Sequence, residues 1–247
     1  MTVNIKPSKA EGKISAPSSK SMGHRLLICA GLSEGKSRID NVLYSEDILA
    51  TLDCLEAMGV KTEKGEDYVK AIGTLPKKAG ECTYKCRESG STLRFFIPIA
   101  MLSDKVSLFT GYGRLMERPM TVYEGIATEK NLSYIKNNDG IRVGGKLTSG
   151  KFTVLGNISS QFISGLLFAL PLCDGDSEIE LTGNIESKSY IDMTLYAMSL
   201  FDVKAYWKKE NILYIKVISS IRANALQLRA TIPMRLFLMP LIFWAAM

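Results

Sequence analysis

Three points in the chain, each seventy residues from the next, combine hydroxyl, glycine and basic residues in the way that binds phosphate and carboxylate groups. They lie at Lys20, Gly90 and Ser160, and each leads into an apolar stretch that predicts a helix. The first turn of a helix has unpaired backbone N–H groups and the positive end of the helix dipole, so it binds anions where small residues let them approach. The repeated spacing therefore predicts three equivalent anion-binding helix starts.

Full positive charge lies at one of these places and at a further predicted helix start. Lys20 and Arg25 bracket the first helix start, and Arg118 is held beside Pro119 at another predicted helix start. An arginine in such a position can clamp a carboxylate or a phosphate with two parallel hydrogen bonds. These three cations are the strongest candidates for binding an anionic substrate.

Simpler roles compete with binding at several of these positions. Ser159 or Ser187 taken alone is more typical of a helix cap than of a ligand, and Gly90 alone is more typical of a turn. His24, the single histidine, is expected on the surface or in a loop and is given no catalytic role. The repetition of the pattern is what favours binding.

A repeated unit must position these groups. Each first helix is followed by a strand, a second helix and two short strands, which gives a βαβαββ unit three times over. The strands after the first helices are predicted at 36–39, 105–109 and 177–181. The second helices are predicted to start at Ser45–Asp47, Glu117–Pro119 and Ser187–Tyr190. The closing strands are predicted near 61–63 and 67–72 in the first unit and at 203–207 and 212–217 in the third. The middle unit is the least regular, since 131–145 is rich in Asn and Gly.

The amino-acid composition indicates which class of protein this is. The 247 residues are 46% hydrophobic and 23% charged, as expected for a packed globular protein, and the net charge of +6 attracts anions. No nucleic-acid-binding motif accompanies this charge, so small anions are the better candidates. The five cysteines lack the spacing of a zinc site, which favours a reducing cytoplasm, and Met1–Lys13 lacks the apolar core of a signal peptide.

Five ordered motifs together resemble the EPSP synthase family, the 3-phosphoshikimate 1-carboxyvinyltransferases of the shikimate pathway. The motifs are Pro17–Ser21 with Arg25, Ser89–Arg94, Arg114–Pro119, Ser159–Phe162 and Ser187–Asp192. The resemblance covers roughly residues 5 to 217. It implies an α/β (α+β) fold in which three βαβαββ repeats form one domain of a two-domain inside-out barrel.

The resemblance also implies a reaction, in which the enolpyruvyl group of phosphoenolpyruvate is transferred to the 5-hydroxyl of shikimate 3-phosphate. By resemblance, the residues that bind shikimate 3-phosphate are Lys20, Ser21, Arg25, Ser159, Ser160, Gln161, Ser187 and Tyr190. Those that bind phosphoenolpyruvate are Lys20, Gly90, Arg118 and Gln161. No metal or other cofactor is implied. A monomeric cytoplasmic enzyme is expected, with no nucleic-acid or membrane partner.

A competing interpretation is the UDP-N-acetylglucosamine enolpyruvyl transferase, which shares the fold. That enzyme carries Lys-Asn where this chain has Lys20-Ser21, and it usually has a reactive cysteine before its Arg-Pro motif. The stretch from Gly111 to Arg118 contains no cysteine. Both differences favour EPSP synthase.

The resemblance divides the chain into three parts. Residues 1–13 would belong to the first domain of the family, 14–218 would form the second domain, and 219–247 would be a return linker and an aberrant tail. The family's Gly-Asp-Tyr-Ser pattern is missing after Leu228, but a shifted reading of codons for Arg229 onward restores it, so the tail is expected to be out of frame. As a membrane span, Ile232–Met247 is too short and is interrupted by Pro240.

Two classes of function remain open. The first is an enolpyruvyl transferase, and the second is a non-catalytic half-domain that binds the substrates without turnover. By resemblance, the acid–base groups belong to the absent half, so no catalytic residue is assigned. Weak or no turnover is expected, because a ligand bound between two domains loses contacts when one is absent.

Overall fold

The computed structural model describes residues 17–76, 80–218 and 221–227. These parts contain six α-helices and fourteen strands. The helices are α1 (Lys20–Leu32), α2 (Glu46–Ala57), α3 (Gly90–Ala100), α4 (Thr121–Glu129), α5 (Ser160–Ala169) and α6 (Lys188–Ser199). The predicted residues 1–13 and the tail beyond 227 lie outside the described residues.

Three four-stranded sheets share one strand arrangement. The first contains β14 (Ala225–Gln227), β2 (Lys36–Asp40), β4 (Tyr68–Ile72) and β3 (Lys61–Lys64), in that order. The second contains β5 (Thr83–Lys85), β6 (Ser107–Thr110), β8 (Gly140–Gly144) and β7 (Ser133–Asn137). The third contains β9 (Lys151–Leu155), β10 (Ser177–Thr182), β12 (Ile212–Ile215) and β11 (Ala205–Lys209). In each sheet the first two strands are parallel and the other pairs are antiparallel.

The predicted βαβαββ order is confirmed for the second and third units and modified in the first. Strands β5 and β9 precede the first helix of their own units and pair in parallel with the strand that follows it. In the first sheet, this position beside β2 is taken by β14, from the far end of the chain. A second parallel pair, β1 (Ser33–Glu34) with β13 (Ile221–Arg222), lies next to it. Part of the predicted return linker therefore completes the first unit.

Helix α4 begins later than predicted. The stretch 112–118 forms turns, with the N–H of Arg118 bonded to the carbonyl of Leu115, and the helix starts at Thr121 rather than at Glu117–Pro119. The physical reason is Pro119, because a proline disfavours helical geometry in the residue before it. Arg118 consequently projects from the end of a turn and not from a helix start.

The Asn- and Gly-rich stretch of the middle unit is more regular than predicted. Strands β7 and β8 form an antiparallel hairpin across a two-residue connection. Gly140 begins β8 with φ of 139°, and a Cβ there would overlap the carbonyl oxygen of Phe109. Glycine is therefore required where β8 passes against β6, and the composition reflects this close approach rather than irregular structure.

The core is built around the first helix of each unit. Nearly every residue of α1, α3 and α5 is buried, whereas α2, α4 and α6 are buried on one side. Helices that are apolar on all sides belong in a protein interior. Helix α3 packs against α5, and α1 packs against α2 and α6. The five cysteines are buried and form no disulfides.

Three buried hydroxyl groups join the units in cyclic order. Thr51 of α2 hydrogen-bonds His24 of α1 (2.7 Å) and Thr92 of α3 (2.9 Å). Tyr123 of α4 donates to the carbonyl of Arg94 in α3 (2.6 Å) and lies 3.1 Å from that of Phe162 in α5. Each second helix thus contacts the first helix of its own unit and that of the next unit.

The third hydroxyl closes the cycle. Thr194 of α6 lies 2.8 Å from the hydroxyl of Ser164 in α5 and accepts a hydrogen bond from Arg25 of α1 (2.7 Å). The third unit is therefore joined back to the first. These contacts fix how the three capped helix starts lie relative to one another.

Replacing Gly165 by alanine should destabilise this interior. A Cβ at Gly165 would overlap the carbonyl of Arg94 and the hydroxyl of Tyr123, so α3 and α5 must separate. We expect a loss of about 1–3 kcal/mol in the free energy of unfolding, measured by urea denaturation. The matched control is Gly125→Ala in α4, where no atom lies within 4 Å and alanine should stabilise by about 0.5–1 kcal/mol. Equal effects of the two substitutions would contradict the tight α3–α5 packing.

In the described ranges, none of the helices combines the length and the apolar character needed to cross a bilayer.

Candidate anion-binding site

The three predicted starts are each the first residue of a helix. Helix α1 begins at Lys20, α3 at Gly90 and α5 at Ser160. In each case the preceding serine caps the helix by accepting a backbone hydrogen bond through its hydroxyl oxygen. The caps are Ser19 to Met22 N (3.2 Å), Ser89 to Thr92 N (3.2 Å) and Ser159 to Gln161 N (3.4 Å). The repeat in the sequence is therefore a repeat of capped helix starts.

One group of side chains converges on the start of α3. Arg94 donates from Nη1 to the side-chain oxygen of Gln161 on α5 (2.7 Å). A Cβ on Gly90 would overlap Nη1 of Arg118 and would lie 3.2 Å from Nη1 of Arg94. Two guanidinium groups therefore lie against bare backbone at a helix start. We call these four residues the α3 cluster: Gly90, Arg94, Arg118 and Gln161.

The α3 cluster carries positive charge without a balancing carboxylate. Among the described residues, no acidic side chain forms an ion pair with Arg94 or Arg118. Burial is the main cause that lowers the pKa of Arg94; Tyr123 acts in the opposite direction and the charge of Arg118 lowers it further. Nε of Arg94 is buried and has no hydrogen-bond partner in the described part of the chain. Such a site favours an anion with several acceptor oxygens.

Arg94 was not assigned a role from the sequence, although it lies in a motif that carried the resemblance. It is four residues after Gly90, so both lie on one face of α3. It also occupies the position equivalent to His24, seventy residues earlier. The position of Arg94 within the seventy-residue repeat is the feature of the sequence that could have identified it.

A second group of side chains surrounds Arg25 inside the domain. The Arg25 guanidinium donates to Thr194 Oγ1 (2.7 Å), Ser21 O (2.7 Å), Tyr190 O (3.2 Å) and Ser164 Oγ (3.3 Å). It also lies against two aromatic rings, those of Phe95 and Tyr190, at 5.3 and 5.9 Å from their centres. Ser164 and Thr194 were not predicted, because their contacts join α5, α6 and α1 across the whole sequence. We call Arg25, Ser21 and Tyr190 the α1–α6 cluster.

Arg25 is a buried cation whose described partners are all neutral. It is 2% exposed, and burial lowers its pKa to about 10. It therefore remains charged at neutral pH, in an environment that disfavours the charge. An anionic group reaching this cluster would supply the missing opposite charge.

Lys20 lies at the exposed start of α1 and is already paired. Its ammonium group is 2.5 Å from the carboxylate of Asp47 on α2. Partial burial would raise the pKa of Asp47, but hydrogen bonds from Lys20 and Ser89 outweigh burial and the pKa is lowered. The pair places Lys20 beside the cap of α3. No described contact joins Lys20 directly to Arg118.

The remaining predicted residues lie on the exposed ends of α5 and α6. Ser159 is an exposed cap, Ser160 is buried, and Tyr190 is exposed. Ser187 precedes α6 with φ of 56°, and its hydroxyl does not cap the helix. The simpler interpretation of Ser187 as a side-chain cap is therefore wrong.

His24 lies inside the domain, contrary to the expectation of a surface or loop position. It is 1% exposed, on the inner side of α1. Burial above all lowers its pKa to about 3; Asp47 acts in the opposite direction, and Arg25 and Lys20 lower it further. The imidazole is therefore neutral at physiological pH.

Metal-binding geometry is not found in the part of the chain that the structure describes. There, no three His, Cys, Asp or Glu side chains are grouped so that they could hold a metal ion. The site is instead built from guanidinium, ammonium, hydroxyl and amide groups. This set of donors binds organic anions.

Comparison with known proteins gives one consistent family. A family profile described as EPSP synthase (3-phosphoshikimate 1-carboxyvinyltransferase) matches residues 5–222. Two proteins named 3-phosphoshikimate 1-carboxyvinyltransferase are similar: that of Clostridium beijerinckii is 47% identical over 212 residues and that of Clostridium kluyveri 47% over 204. These alignments cover 82% and 81% of this chain and 48% of each relative. The chain thus spans about half the length of the curated relatives it matches.

Solved structures show the same fold. An EPSP synthase from Acinetobacter baumannii is similar with a TM-score of 0.76 and 20% sequence identity, over 92% of this chain and 52% of that one. A second structure of EPSP synthase from the same organism gives a TM-score of 0.74. The predicted α/β fold class is confirmed.

Proposed function

Because this chain belongs to the EPSP synthase family, we propose that it forms one substrate-binding half of an enzyme that transfers the enolpyruvyl group of phosphoenolpyruvate to the 5-hydroxyl of shikimate 3-phosphate. The observation that carries this proposal is the α3 cluster, in which Arg94 and Arg118 meet at the bare backbone of Gly90. Such an arrangement suits a small ligand with both a carboxylate and a phosphate.

The α3 cluster is the proposed site for phosphoenolpyruvate. Arg118 would bind one anionic group in two-point fashion, while Gln161 is oriented by its bond from Arg94. The backbone N–H groups at the start of α3 add donors and the positive end of the helix dipole. Lys20 would contribute a further positive charge from the neighbouring helix start.

The α1–α6 cluster is the proposed site for shikimate 3-phosphate. Arg25 supplies a charge that lacks a carboxylate partner among the described residues, and Ser21 lies on the same helix. Ser159, Ser160 and Gln161 at the start of α5 would complete the site, together with Ser187 and Tyr190 at α6. The free hydroxyl of Ser187 supports this role, because helix capping does not require it.

The share of its relatives' length that this chain spans favours substrate binding without turnover when the chain is alone. It spans about half of its curated relatives, so residues 14–218 are proposed as one of two domains. The acid–base groups of the reaction would lie in the other half. The specific alternative is thus a half-domain that binds both substrates and does not convert them. The UDP-N-acetylglucosamine transferase is disfavoured, since the relatives are named 3-phosphoshikimate 1-carboxyvinyltransferase. A monomer in the cytoplasm is the expected setting of the intact enzyme.

Titration of the chain with each substrate, combined with an assay of phosphate release, tests this proposal. Isothermal calorimetry should show saturable binding of phosphoenolpyruvate and of shikimate 3-phosphate that weakens with salt. Phosphate release should be lower than that of a full-length relative by about a hundredfold or more, since general acid–base groups contribute that much. Arg118→Met should weaken phosphoenolpyruvate binding, and Arg142→Met, on strand β8, should not.

Two results would contradict the proposal in different ways. If neither substrate binds at millimolar concentration, the assignment of the two clusters is wrong. If the chain releases phosphate at the rate of a full-length relative, the half-domain interpretation is wrong and this chain holds its own acid–base groups.

A further inference from the structure

A chain of hydrogen bonds runs through the buried contact between α1, α2 and α3. It starts at Nδ1 of His24, which is 2.7 Å from the hydroxyl oxygen of Thr51. The hydroxyl of Thr51 is 2.9 Å from that of Thr92, which is 2.8 Å from that of Ser89. Four side chains from three helices are thereby connected. The chain ends at the residue that caps α3.

A carboxylate that pairs with Lys20 lies next to this chain. The hydroxyl of Thr92 is 3.4 Å from the backbone carbonyl oxygen of Asp47, and the carboxylate of Asp47 is 2.5 Å from the ammonium of Lys20. Within the chain, the hydroxyl of Thr92 donates to that of Ser89. This donor fixes the direction of the two bonds before it.

Each hydroxyl has one proton to donate, so the donor in one hydrogen bond determines the donor in the bond before it, back to His24. Thr92 gives its proton to Ser89, so Thr92 accepts from Thr51. The proton of Thr51 is then used, so Thr51 accepts from Nδ1–H of His24. The ring is consequently protonated at Nδ1. Nε2 is left as an acceptor and lies 3.4 Å from the hydroxyl of Ser91, in the first turn of α3.

We propose that His24 is a positioning residue. Through Thr51, Thr92, Ser89 and Asp47, it fixes the position of Lys20 relative to the start of α3. This inference rests on the proposed function, because Lys20 and the start of α3 are two parts of the phosphoenolpyruvate site. The chain holds α2 against α1 and α3, and Asp47 in the first turn of α2 holds the Lys20 ammonium.

The state of the imidazole is directly measurable because His24 is the single histidine. In the full chain labelled with ¹⁵N-histidine, NMR should show Nδ1 protonated and Nε2 unprotonated throughout about pH 5 to 8. In Thr51→Val, the Nδ1 proton loses its acceptor and the ring should shift towards the Nε2-protonated form. Thr51→Ser keeps the hydroxyl and should restore the original tautomer.

Two further readouts test the effect on Lys20. In Thr51→Val, affinity for phosphoenolpyruvate and the protection of the Lys20 amine from acetylation should each fall about three- to tenfold, the equivalent of one hydrogen bond. Acetylation is measured by peptide mass spectrometry relative to Lys36, whose position on β2 is exposed. Thr51→Ser should restore both values, and Thr128→Val, on the exposed side of α4, should change neither.

The outcomes separate this inference from the proposed function. An Nε2-protonated ring in the unmodified chain overturns the hydrogen-bond chain. A shifted tautomer in Thr51→Val with unchanged protection of Lys20 overturns the positioning role. If the unmodified chain does not bind phosphoenolpyruvate, the proposed function fails, while the tautomer and the protection of Lys20 still decide the role of His24.

Discussion

Replacing Arg25 by methionine should remove most of the affinity for shikimate 3-phosphate and leave the domain about as stable as before or more stable. Arg25 is 2% exposed, and burial lowers its pKa to about 10. That displacement corresponds to about 3 kcal/mol against the charged form in the folded state. Methionine fills a similar volume without bringing a charge into the interior.

The loss of hydrogen bonds at Arg25 should offset only part of this gain. Ser164 and Thr194 remain bonded to each other at 2.8 Å, and Thr194 still donates to the carbonyl of Tyr190. Removal of the guanidinium therefore does not leave these hydroxyls without partners, which is the usual reason for a large penalty. We expect the free energy of unfolding to change by less than about 1 kcal/mol or to rise. Affinity for shikimate 3-phosphate should fall about tenfold to a hundredfold.

Urea denaturation and calorimetric titration of the same samples measure the two effects. The control is Arg25→Lys, which keeps the charge in the interior but cannot reproduce the four-bond fork, so it should lower both affinity and stability. A loss of several kcal/mol in Arg25→Met would show that Arg25 mainly supports the fold. Unchanged affinity would remove it from the proposed site.

Replacing Gly90 by alanine should weaken the binding of phosphoenolpyruvate selectively, whereas the change at Arg25 acts on shikimate 3-phosphate. A Cβ at Gly90 would overlap Nη1 of Arg118, the far end of a flexible side chain on the surface. Arg118 can move aside, so the fold should tolerate the change. The guanidinium then leaves the position from which it would clamp an anion, and affinity should fall about ten- to a hundredfold, as for the loss of a charge-assisted contact.

Calorimetric titration with both substrates decides this prediction. Binding of shikimate 3-phosphate to Gly90→Ala should be unchanged, and thermal unfolding should match that of the unmodified chain. Gly125→Ala is the control for the added methyl group, since it meets open space on α4. Equal weakening of both substrates, or a marked loss of stability, would show that Gly90 is required by the fold and not by the site.

The comparison of Gly90 with Gly165 shows what sequence can and cannot distinguish. Both are glycines in the first helix of a unit, and neither type nor spacing separates them. In the structure, a methyl group at Gly90 meets a mobile side chain, whereas one at Gly165 meets the carbonyl of Arg94. The atoms that surround each glycine therefore decide whether an added methyl group affects ligand binding or the fold.

Predictions failed where a contact depends on a distant part of the chain. His24 was expected at the surface, but α1 is buried on all sides and the ring is enclosed by α2 and α3. The first sheet is completed by β14, which pairs residues 225–227 with residues 38–40. The late start of α4 has a local cause in Pro119, and the signal was present in the sequence.

The amino-acid sequence by itself determined the three helix starts at Lys20, Gly90 and Ser160, the fold class and the basic character of the site. These depend on capping, periodicity and composition, which act over a few residues. Tertiary structure alone decided that Arg94 meets Gln161, that Arg25 meets Thr194, and that His24 is linked to Thr92 through the hydroxyl of Thr51. Those contacts join residues of different units, and their geometry is set by the packing of α3 against α5 and of α1 against α2 and α6.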